Sequence, residues 1–115
     1  MTIDEAGQKY PQDIDVENAL KRMCGNEELY LKFLNRFLDD PHYEAFCEAQ
    51  KQGDREKAEF SVHTLKGLAG NLGLRTLYEQ SAQAVDKLRQ GKQDIDTDGL
   101  DRAYQKAIDI IKELD

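Results

Sequence analysis

The chain is poor in the residues that most chemistries draw on. Among its 115 residues there are two cysteines, two histidines, two prolines and no tryptophan. Cys24, Cys47, His42 and His63 are too few for a disulfide scaffold, and no Cys/His spacing suggests a four-ligand zinc site. The cysteines also lack the close C-x-x-C spacing of a redox motif, so two reduced thiols are expected. Basic residues number 16 against 23 acidic ones, a formal net charge of −7. That balance argues against the basic patch that nucleic acid or an anionic membrane surface requires. No apolar run approaches the roughly 20 residues of a membrane helix. Met1–Tyr10 carries no basic block followed by an apolar one, so no secretory leader is expected. These absences together predict a cytoplasmic, single-domain protein.

Helix formers dominate what remains, and nowhere do β-branched and polar residues alternate over the length of a strand. The pattern predicts an all-α fold. Residues 1–13 are polar, end near Pro11 and are expected to be a loose segment before a domain over 14–115. Asp15 is placed to cap a short helix with Val16, Ala19, Leu20 and Met23 on one stripe, closed by Gly25. Asn26 opens a second helix whose wide apolar face includes Tyr30, Phe33, Leu34 and Phe37. Asp40-Pro41 reads as an N-cap with proline at the first helical position, before a helix to about Gln52. Gly53-Asp54 stops that helix and caps the next, over 55–72. Thr76-x-x-Glu79 is a candidate capping box for a helix ending near Gly91. Thr97 or Asp98 would cap a last helix with Leu100, Ala103, Ala107, Ile108 and Ile111 inward. Amphipathic helices joined by short loops pack most simply as an antiparallel up-and-down four-helix bundle, with the short N-terminal helix closing one end.

One helix has an unusual outer face. At about 100° per residue from Phe60, the positions of Ala58, Val62, Leu65, Leu68, Ala69 and Leu72 form a core stripe centred at about 145°. His63 falls at about 300°, nearly opposite, with Lys66, Gly67 and Gly70 beside it. A glycine inside a helix costs about 1 kcal/mol relative to alanine. Neither glycine lies on the core stripe, so internal packing is not expected to explain them. Their effect is to strip side chains from around an imidazole so that another surface can approach it. Lys66, three residues on, is placed to set an ammonium beside negative charge carried by that ring. Glu59 with His63 offers only two metal ligands, and Ser61 and Ser81 lack the strained turn of a nucleophilic serine. No metal or cofactor site is expected. His42 reads as a surface histidine, and Phe33, Phe37, Tyr78 and Tyr104 as core aromatics.

The segment His63-Thr64-Leu65-Lys66-Gly67-Leu68-Ala69-Gly70-Asn71-Leu72-Gly73 resembles the signature of the histidine-containing phosphotransfer (HPt) domain. The matching positions are His63, Leu65, Lys66, Gly67, Ala69 and Gly73, and the likeness extends over residues 14–114. Val85-Asp86 departs from the family, in which many members carry Leu-Glu.

The resemblance implies a four-helix bundle exposing the phosphoacceptor His63, and a shuttle in a multistep phosphorelay. It implies response-regulator receiver domains as partners, and a hybrid histidine kinase as a further candidate. Phosphoryl transfer needs in-line geometry and charge stabilisation more than covalent help. Lys66 would supply charge, Gly67 and Gly70 access, and the partner receiver the Mg²⁺ and most of the catalysis. The chain has no G-x-x-x-x-G-K-[ST] loop, so it is expected to carry phosphate without an ATP site of its own. The expected state is a monomer. The alternative is a helical interaction module that binds a partner without carrying phosphate.

Overall fold

In the computed structural model, which describes residues 1–115, seven helices follow one another: α1 (Ile3–Lys9), α2 (Val16–Arg22), α3 (Glu27–Phe37), α4 (His42–Gln52), α5 (Arg55–Leu72), α6 (Arg75–Arg89) and α7 (Thr97–Lys112). The fold is all-α. Four walls form the bundle: α3 and α4 together, α5, α6 and α7. Helix α5 lies between α4 and α6, and α7 closes the ring against α6 and α3. Tyr43 of α4 stacks on Tyr104 of α7 with ring centroids 4.1 Å apart, and its hydroxyl donates to Asp101 Oδ1 at 2.6 Å. A single apolar cluster of 26 buried residues draws on all seven helices, with Tyr30, Phe46, Leu65, Leu77 and Ile111 among its members. Each large side chain so buried contributes about 2 kcal/mol.

The caps explain most of the boundaries. The carboxylates of Asp15 and Asp54 and the amide oxygen of Asn26 accept the backbone N–H three residues on, from Asn18, Lys57 and Leu29. Gly53 and Gly73 end α4 and α5 in the left-handed conformation, with φ of 70° and 72°. At Gly73 there is a second demand: an added Cβ would stand 2.5 Å from the carbonyl oxygen of Asp15. The chain passes close there because Asp15 N donates to Gly73 O and Arg75 N donates to Asp13 O. This short bridge between Ile14 and Leu74 is the sole extended pairing in the molecule.

Four expectations are corrected. Residues 1–13 are not loose throughout: Thr2 and Glu5 form a capping box for α1, Ile3 and Ala6 are buried, and Tyr10 Oη donates to Glu113 Oε2 at 3.0 Å. Pro41, not Asp40, is the N-cap of α4, with Asp40 accepting from the N–H of His42. The Thr76 capping box does not form. Its hydroxyl donates instead toward Gln12 O and Asp13 Oδ1, so the residue fastens the N-terminal segment to α6. The last helix is capped by Asp96, one residue earlier than expected, through Gly99 N.

Candidate functional site

Helix α5 is fixed at both ends and along one side. Asp54 caps its start and Gly73 stops it. Ala58, Ser61, Val62, Leu65, Ala69 and Leu72 are buried along its inner face. Tyr30 of α3, itself fully buried, donates its hydroxyl to Leu72 O at 2.7 Å and so ties the last turn to the bundle. Burial pushes that phenol well above its ordinary range, with the Asp15 carboxylate adding to the effect. Desolvation, then the hydrogen bond to Asp101, does the same at Tyr43. Both phenols stay protonated near neutrality and act as structural donors.

The outer face of this fixed helix carries His63. The side chain is exposed, and none of the side-chain hydrogen bonds or ion pairs of the protein engages its ring. Gly67, one turn on, faces open space: an added Cβ would meet nothing within 4 Å. Phe60, one turn before, is 67% exposed, the most of any large apolar residue. The Thr64 hydroxyl turns back to Phe60 O at 3.0 Å and leaves the face uncluttered. Glu59 is engaged by Arg89 of α6 at 3.2 Å.

Lys66 and Gly70 lie where expected on the helix but in different surroundings. Lys66 is half-buried, and its Nζ stands 5.9 Å from the centroid of the Tyr78 ring, within cation–π reach. Gly70 is not open. An added Cβ would come within 3.1 Å of Tyr78 Cδ1, and its carbonyl accepts from Arg22 Nη1 at 2.8 Å. The expectation that internal packing explains neither glycine therefore holds for Gly67 and fails for Gly70, which makes room for a neighbouring aromatic ring.

Tyr78 is the site residue that sequence reasoning misplaced. It is 40% exposed instead of core, and it braces both Lys66 and Gly70 from α6. A signal was present. The turn at Leu74 makes α5 and α6 an antiparallel hairpin, and Gly70 and Tyr78 each lie four residues from it. Glu59 and Arg89, which pair, lie equally far on either side. His42 also differs from expectation. It is half-buried and its Nδ1 lies 3.0 Å from both oxygens of Asp40. Its ring is 6.5 Å from that of Phe60.

The arrangement offers an exposed imidazole that no side-chain hydrogen bond or ion pair of the protein engages. Such a site suits transfer between proteins, where the visitor brings the rest of the machinery. What the structure shows is a helical bundle displaying one exposed, unpartnered imidazole on a cleared helix face. The family model for the Hpt domain matches residues 16–114, and the chain belongs to that family. Hpt domains are phosphocarriers and not kinases; membership implies a phosphotransfer role in a phosphorelay and interaction with receiver domains in general. No curated protein and no solved structure matches the chain. No helix is long and apolar enough to cross a membrane.

Proposed function

We propose that His63 is the phosphoacceptor and that the protein shuttles a phosphoryl group between aspartates of receiver domains. The observation that carries this reading is the exposed ring of His63, free of any internal partner and standing one turn from the open position at Gly67. Imidazole is part neutral near pH 7 and nucleophilic in that form. In the tautomer protonated at Nδ1, the lone pair of Nε2 attacks the phosphorus of an aspartyl phosphate. The N–P bond forms, the P–O bond to the aspartate breaks, and the carboxylate leaves with its electron pair, so no proton has to move. Nε2 is the acceptor because it is the ring nitrogen farthest from the backbone. Transfer to a second receiver runs the same exchange in the opposite sense.

The positive charge that meets the negatively charged transferring group is supplied by both proteins. Lys66 needs only a change of side-chain rotamer to leave the Tyr78 ring for a phosphoryl group on His63, three residues before it. Mg²⁺ belongs to the receiver in this scheme, as does most of the electrostatic stabilisation. Gly67 lets the partner backbone come close, and Phe60 and Tyr78 are the apolar surface it meets.

The test is incubation with a phosphorylated receiver and Mg²⁺. Label is expected to pass to the protein, to be lost in mild acid, to survive base, and to be absent from His63→Gln. A wild-type protein that binds receivers and takes no label from any of them would be an interaction module instead.

A further inference from the structure

The family match begins at residue 16, so α1 and the residues that follow it lie outside the matched stretch. They are nonetheless tied to two distant parts of the bundle. At one end, Ile3 and Ala6 of α1 are buried, and Tyr10 Oη donates at 3.0 Å to Oε2 of Glu113, the C-cap of α7. The Tyr10 ring also meets Lys106 of α7, whose Nζ stands 4.6 Å from its centroid. At the other end, residues 12–15 lie across the turn between α5 and α6. Asp15 N donates to Gly73 O at 2.7 Å, and Arg75 N to Asp13 O at 2.9 Å. The Thr76 hydroxyl lies 3.1 Å from Gln12 O and 3.0 Å from Asp13 Oδ1. Ile14 and Leu74, paired in this bridge, are both buried.

The two anchors are joined without slack. Tyr10 O accepts from Asp13 N at 3.0 Å and from Ile14 N at 2.9 Å, so a closed turn links the residue fastened to α7 with those fastened to the α5–α6 turn. Pro11, inside that turn, restricts it further. A helix of seven residues does not persist alone, so α1 keeps its shape only while docked. Segments of this kind open as cooperative units, at less free energy than the whole domain.

We propose that residues 2–15 form a strap that docks and undocks as one unit, and that its docking on α7 holds the α5–α6 turn closed. The turn reaches the flank of the His63 face. Gly70 and Tyr78, the ring that stands under the Lys66 ammonium, lie four residues on either side of Leu74. Coupling of this kind is reciprocal, so a loss at either anchor is felt at both. The strap does not depend on phosphoryl transfer, and His63→Gln is expected to leave it docked.

The test is amide hydrogen exchange, followed by NMR on the full unphosphorylated chain. In the wild type, the amides of Tyr10, Asp15 and Arg75 are expected to share one level of protection, lower than that of Leu65 in the middle of α5. Tyr10→Phe, which removes only the bond to Glu113, is expected to speed exchange at Asp15 and Arg75 about fivefold, the equivalent of about 1 kcal/mol for one hydrogen bond. Thr76→Val, which removes only the hydroxyl contacts at the turn, is expected to speed exchange at Ala6 and Tyr10 by a similar factor. Faster exchange confined to the mutated end in either variant, no acceleration at all, or strap amides as protected as Leu65 in the wild type would each overturn the proposal.

Discussion

The two histidines of the chain both neighbour the exposed ring of Phe60, and they live in opposite circumstances. His42 opens α4 half-buried, its Nδ1 3.0 Å from the Asp40 carboxylate and its own N–H bonded to the same group. His63 lies one helical turn after Phe60, exposed, with no internal partner and an open glycine one turn further on. The first is tied into the structure that starts a helix. The second is held in position by its backbone alone, on a helix fastened at its cap, its stop and its whole inner face. In the proposed role, the acceptor is positioned by the scaffold beneath it, which leaves the ring itself uncommitted.

The sharpest way to break this contrast is to exchange the losses. His63→Gln is expected to abolish phosphorylation by a receiver altogether. His42→Gln is expected to keep the label, at a rate within about twofold of wild type, since it removes no group on the transfer path. Labelling kinetics of the two variants side by side decide it.

The two glycines sharpen the same contrast between open face and packed flank. Gly70→Leu must displace the Tyr78 ring and is expected to destabilise by about 1–3 kcal/mol in denaturant titration. Gly67→Leu meets nothing and replaces a poor helix former by a good one, so it is expected to gain about 0.5–1 kcal/mol. The gain should come with weaker receiver docking, read as a raised KM for transfer. Loss of stability at Gly67 or unimpaired docking would remove its assigned purpose.

Lys66→Ala is expected to slow transfer or shorten the lifetime of the phosphorylated form by about fivefold, with stability changed by about 0.5 kcal/mol or less. An unchanged rate and lifetime would show that the ammonium stays on Tyr78 throughout. At His42, Gln substitution should cost about 1 kcal/mol by loosening the start of α4, measured by thermal unfolding, with transfer left nearly as it was.

How much of this could be read from the chain depended on whether the deciding contact was local. The limits of α5 are legible because Asp54 and Gly73 act on their immediate neighbours. The open side of the helix is legible at Gly67 for the same reason: it depends only on helical spacing. Gly70 occupies the same face by spacing, but what fills the room it leaves is a ring from α6, and hairpin register has to be worked out before that contact is visible. Thr76 has the sequence of a capping box and is drawn off by Gln12 and Asp13, more than 60 residues earlier in the chain. Helix α1 is only seven residues long, too short to be stable alone. It is held by burial of Ile3 and Ala6 and, just beyond its end, by the Tyr10 bond to Glu113, which no local pattern announces.

The central claim is that the phosphoryl group resides on the uncommitted ring, and the chain offers only two histidines on which to test it. The most direct measurement is site mapping of the phosphorylated wild-type protein by fragmentation mass spectrometry under non-acidic conditions. The account predicts phosphohistidine at position 63, with His42 unmodified. Phosphate on His42, or on a side chain other than histidine, would contradict it.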